Sequence, residues 1–163
     1  MTKIRSMITC LLRLIALAAT LCATIVMAAA HDSTEIFNLK FEAKYSNSPS
    51  FKYFVIVNTV VSCYTLTTLL IPHKSLLWRL ILILDTVMAL LLTSSFSAAM
   101  AIAYVGKKGN SNAGWLPICG QVPKFCDQAT NALISGFVAI LIYFFLLLYS
   151  LHAALTPVFC AKD

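Results

Sequence analysis

Between Leu80 and Val105 the chain offers one carboxylate, Asp85, and otherwise only apolar, small or hydroxyl side chains. A helix of about 20 such residues crosses the hydrocarbon core of a bilayer, so this stretch spans one with a charge inside it. A carboxylate at that depth costs on the order of 3 kcal/mol on insertion scales and more on an isolated helix. It therefore has to face protein, and another segment has to deliver a cation at the same depth.

Three further runs reach spanning length, residues 8–30, 53–71 and 132–155. Together with 80–105 they predict an all-α membrane protein: one domain over residues 1–163, a bundle of four transmembrane helices with short termini on one side and two loops on the other. Composition agrees, since 60% of residues are apolar and 11% charged, against about 25% charged in soluble domains. Mean hydropathy is +0.87. The formal charge of +6 is scattered over termini and loops, which leaves the lipid bilayer as partner and argues against nucleic acid. With no soluble domain predicted, the chain reads as a non-enzyme.

An even number of helices puts both termini on one side. Lys3, Arg5, Lys74, Arg79 and Lys162 fall there, and Lys40, Lys44, Lys52, Lys107, Lys108 and Lys124 fall opposite. The totals nearly balance, but the first set crowds short segments at helix ends, where positive charge marks the cytoplasm. Both termini are expected to be cytoplasmic.

Lys3 and Arg5 before an apolar run ending in Ala28-Ala29-Ala30 resemble a secretory signal. A signal's apolar core is about 7 to 15 residues and this run is longer, so it is expected to stay as helix 1. Arg13, Ala16, Thr20 and Ala23 share one face of that helix, with Arg13 directed into the bundle. Polar residues 31–52 form the first outer loop, and the pattern Ile36, Phe37, Leu39, Phe41 suggests a short strand. In helix 2, which stops at Pro72, Asn58 is expected to hydrogen-bond across the bundle. Residues 72–75 make a tight turn, and Trp78 with Arg79 fits an interfacial anchor. Helix 3 carries small pairs, Ser95 with Ala99 and Ala103, and Ser97 with Ala101, that admit a close neighbour. Its end is marked by Gly106-Lys107-Lys108-Gly109-Asn110, and helix 4 is apolar on nearly all faces.

Arg13 and Asp85 each lie about five residues inside runs entering from the same side, which at about 1.5 Å per residue sets them at similar depth. A guanidinium can meet a carboxylate through two parallel hydrogen bonds. The pair is read as a clamp between helices 1 and 3. The alternative is a proton or ion relay in a small transporter or channel component, but above Asp85 the helix offers only hydroxyls and methyls, not a string of polar groups.

Of six cysteines, Cys10, Cys22 and Cys63 sit in helices as packing residues, and Cys160 at the end of helix 4 is a candidate for acylation. Cys119 and Cys126 fall in the second outer loop on either side of Pro123, where an oxidising exterior closes a disulfide. His31, His73 and His152 sit near the interfaces with no pair at ligand spacing, so neither metal nor haem nor any other cofactor is expected.

Arg13 in its leucine- and alanine-rich run, Phe51-Lys52-Tyr53 with Asn58 and Tyr64, Asp85, Gly106-Lys107-Lys108-Gly109-Asn110, and Trp115 with Cys119 and Cys126 resemble the plant CASP-like family. These are relatives of the Casparian strip membrane domain proteins and belong with the wider MARVEL group of four-helix membrane proteins. The resemblance implies a plasma-membrane scaffold that self-associates into membrane domains, forms homo- and hetero-oligomers with related four-helix proteins, and recruits secreted wall-modifying enzymes. Trp115 is then the outer-loop interaction candidate. Residues 35–50 depart from the signature of the strip-forming members, which points to a CASP-like member without that specific role. Claudins also carry Trp and two Cys outside, but between helices 1 and 2; tetraspanins have a longer loop with a doubled cysteine.

Overall fold

The computed structural model describes residues 2–36, 39–70 and 77–160. Residues 72–75 lie outside them, as do the side chains of Trp78, Arg79 and Cys160. The elements are α1 (Thr2–Ala29), a hairpin of β1 (His31–Ile36) and β2 (Leu39–Lys44), α2 (Pro49–Leu70), α3 (Leu77–Lys108) and α4 (Pro123–Cys160). All four helices are long and apolar enough to span a bilayer, as the apolar runs require.

The helices outrun those runs at their polar ends. α2 starts at Pro49, whose fixed φ and missing N–H suit the first turn, and Lys52 N–H bonds Ser48 O at 3.1 Å. α4 starts at Pro123, so Cys126 sits on its first turn and not in the loop where the sequence placed it. The first loop holds two antiparallel strands in register from His31 opposite Lys44 to Ile36 opposite Leu39. The sequence suggested one strand, because alternation is clean only from Phe37; the earlier strand, His-Asp-Ser-Thr-Glu-Ile, is too polar for pattern to reveal it.

α1 packs on α2 and α4, and α3 packs on the same two. The helices thus follow one another round a ring, and α1 and α3 occupy opposite corners. Toward the hairpin end the core is Ala23, Met27, Phe51, Phe54, Ala99, Ala132 and Leu133. The middle is Ala16, Val57, Val61, Leu92 and Tyr143. Small residues let backbones approach where no water competes for the space. Ser95 and Ala99 are buried, whereas Ser97 and Ala101 face outward. α4 buries one stripe, Ala132, Leu133, Ala139, Tyr143 and Leu146, and exposes Phe137, Leu141, Phe144 and Phe145, so an apolar composition still hides a preferred face.

Across the other diagonal, a Cβ built on Gly136 of α4 would stand 2.7 Å from Cζ of Phe54 on α2. Phe54 is 1% exposed and has no free direction to move, so the glycine is what allows its ring to fill the centre.

Candidate functional site

The polar centre lies toward the end bearing both chain termini. Arg13 and Asp85 are both buried, and they meet across the α1–α3 diagonal. Nη2 of Arg13 donates to Oδ2 of Asp85 at 2.6 Å, and Nη1 donates to Oδ1 at 3.2 Å. Tyr64 of α2 gives its hydroxyl hydrogen to Oδ1 at 2.7 Å, with the Ile81 carbonyl 3.3 Å away as second acceptor. Nη1 of Arg13 also donates to Oγ1 of Thr68 at 3.0 Å, whose own hydrogen goes to the Thr65 carbonyl at 2.8 Å. Both carboxylate oxygens and both terminal guanidinium nitrogens are engaged. Such two-point pairing fixes rotation as well as distance, which a lysine could not do.

α2 is the hub of the arrangement, because its buried polar positions recur every three or four residues: Asn58, Ser62, Thr65 and Thr68. Ser62 donates to Oγ1 of Thr20 on α1 at 2.8 Å. Thr65 spends its hydrogen on the Val61 carbonyl, so Tyr143 of α4 is the donor in the Thr65–Tyr143 hydrogen bond. Every helix is therefore tied to α2 by at least one side-chain hydrogen bond. Tyr143, Thr65 and Thr68 were not singled out as site residues from the sequence. The signal that could have found the α2 pair was the three-to-four spacing of its hydroxyls; for Tyr143, inside a continuous aromatic run, no local signal existed.

Asn58 departs from expectation. Its Nδ2 donates to the carbonyl of Phe54, one turn back on its own helix, at 2.8 Å, and its Oδ1 has no partner among the described residues although Asn58 is fully buried. Cross-bundle bonding falls to the hydroxyls instead, each of which carries one donor that needs one acceptor. Nε of Arg13 likewise has no partner among the described residues.

At the opposite end Cys119 and Cys126 form a disulfide with Cα atoms 5.7 Å apart. The loop it closes caps α3: the N–H groups of Ile118 and Cys119 both bond the Gly106 carbonyl, at 2.8 and 3.2 Å, satisfying an orphan acceptor of the helix end. Gly109 leaves the helix at φ +70°, and a Cβ there would lie 2.7 Å from the Trp115 carbonyl. That close approach lets Asn110 and Trp115 exchange backbone hydrogen bonds at 2.8 and 2.9 Å. Trp115 is 58% exposed. Cys10, Cys22 and Cys63 are free and exposed on the helix surfaces.

Residues 2–142 match the family model described as the Casparian strip membrane protein domain. The chain belongs to that family. Among its relatives, CASP-like protein 1C2 of Ricinus communis is 59% identical over 160 residues, covering 98% of each chain. CASP-like protein 1C3 of Populus trichocarpa is 58% identical with 98% of each covered, and CASP-like protein 1C1 of Arabidopsis thaliana is 57% identical with 93% of each covered. No solved structure matches the chain. The family assignment makes it a multi-pass membrane protein of the CASP-like group, and Arg13, Asp85, Trp115 and both loop cysteines fall inside the matched residues.

Proposed function

We propose that this CASP-like protein is a non-catalytic scaffold of the plasma membrane, which self-associates into lateral domains, alone and with related four-helix proteins, and presents its loop face to secreted wall enzymes. The observation that carries this reading is the closure of the Arg13–Asp85 centre. A carboxylate with both oxygens engaged by a two-point guanidinium and a tyrosine hydroxyl, and fully buried, holds helices in register; it is closed to a passing ion. The membrane-facing side of α3 supports the lateral part, since Thr93, Ser97 and Ala101 are exposed there at successive four-residue steps. Thr93 and Ser97 turn their hydroxyls back onto carbonyls of their own helix, leaving a smooth groove for a second helix. Both termini are assigned to the cytoplasm, because Lys3 and Arg5 lie at one end and the disulfide that needs an oxidising compartment lies at the other.

Ser97→Leu combined with Ala101→Leu fills that groove while touching no buried contact. Single-molecule photobleaching in native membrane should show self-association weakened by about tenfold, the equivalent of about 1.4 kcal/mol. Unchanged clustering would overturn the assignment of that face. The relay alternative makes a separate demand: purified protein in liposomes must move protons or ions, and Asp85→Asn must abolish the flux.

A further inference from the structure

At the loop end the bundle does not close flush. A cavity of about 610 Å3 opens between the β2 side of the hairpin and the Cys119–Cys126 loop, within the roughly 300–1,000 Å3 usual for small-molecule sites. Its floor is built by Phe51 of α2, Ala103 of α3, and Phe125 and Ala129 of α4. Phe51 and Phe125 meet edge to face at 5.8 Å, so the floor is a fixed aromatic corner. Leu116 and Ile118, 80% and 56% exposed, border the opening.

Three properties select the occupant. The first is depth: Ala103 lies in the last turn of the apolar run 80–105, one helical turn before Lys107, so the floor borders the hydrocarbon layer while the rim stands at headgroup level. An amphiphile from the bilayer fits that gradient and a water-soluble metabolite does not. The second is charge. At the rim Glu42 pairs with Lys44 at 2.8 Å, and Lys107 and Asp127 also line the cavity, so the lining carries equal numbers of the two signs and a charged headgroup gains no net attraction. A neutral hydroxyl, which both donates and accepts, meets a partner on either side. The third is rigidity, because one wall is stapled by the disulfide and tied to α3 through Gly106. A preformed wall favours a stiff body, which loses less conformational freedom on binding than a flexible acyl chain does.

We propose that this cavity binds a sterol from the adjoining leaflet, with its fused rings on the Phe51–Phe125 corner and its hydroxyl at the rim beside Gln121 and Asp127. The site lies at the far end of the molecule from the ion pair and does not depend on self-association.

The test uses the full chain in phosphatidylcholine vesicles carrying a trace of diazirine-bearing sterol, with labelled peptides mapped by mass spectrometry. Labelling should be saturable, should fall at least about tenfold under excess unlabelled sterol, and should map to the segments around Ala103 and Phe125. Thr130→Trp narrows the opening from an exposed lining position and should reduce labelling by a similar factor while the disulfide stays intact. If that variant fails to fold, the parent still decides the matter: a diacyl photolabelled phosphatidylcholine should not compete. Equal labelling by the diacyl probe, unsaturable labelling spread over lipid-facing helix surfaces, or cross-links between copies that sterol does not displace would each overturn the proposal.

Discussion

Among the described residues, replacing Arg13 by leucine leaves Asp85 with the Tyr64 hydroxyl alone, and replacing Asp85 by leucine leaves the guanidinium with the Thr68 hydroxyl alone. Each single change strands a charge in a low-dielectric interior, and breaking a buried pair typically costs about 3 to 5 kcal/mol. The lower end applies in lipid, where separated helices find other polar partners. The double change is different in kind. With both charges gone, Tyr64 can donate to the Ile81 carbonyl and Thr68 keeps the Thr65 carbonyl, so neither hydroxyl is orphaned. What remains is a packing defect of about 1 kcal/mol. The double variant should therefore be at least about 2 kcal/mol more stable than either single. Equilibrium unfolding in mixed micelles, read by circular dichroism, gives the three free energies, and delivery to the cell surface should follow the same order. Singles that unfold like the parent, or a double as weak as the worse single, would refute the clamp reasoning.

Gly136→Ala should destabilise by about 1 to 3 kcal/mol, because the new Cβ meets the buried Phe54 ring at 2.7 Å; pairing it with Phe54→Leu should restore much of the loss, and the unfolding midpoint checks both. Asn58→Leu should leave stability unchanged or raise it, since it removes a buried oxygen with no partner, a group that costs about 1 to 3 kcal/mol; a clear loss in the same unfolding assay would mean Oδ1 is satisfied by bound water. Cys119→Ser with Cys126→Ser should lose about 2 to 3 kcal/mol for so short a loop. The cap of α3 should loosen as well, visible as faster amide exchange at Ile118 and at position 119, whereas free thiols in the parent on peptide mapping would contradict the bonded state.

Four spanning helices were legible in the sequence because hydrocarbon imposes a length and an apolar composition that local pattern carries in full. The stripe Arg13, Ala16, Thr20, Ala23 gave the inward face of α1, and all four are buried, since 3.6-residue periodicity is a property of one helix alone. That Asp85 needed a cation followed from the cost of an unpaired charge, and Arg13 was the intramembrane cation at matching depth. What tertiary structure decided is which helices are neighbours. The ring order places α1 opposite α3, so the pair crosses the centre of the bundle. That geometry explains why α2 has to supply Tyr64 and Thr68 to the flanks of the pair. Tyr143 reaching Thr65, Asn58 turning back on its own helix and the cavity under the disulfide loop also depend on distances between segments far apart in the chain. Local propensity and periodicity carry no information about such distances; they are set when the helices pack.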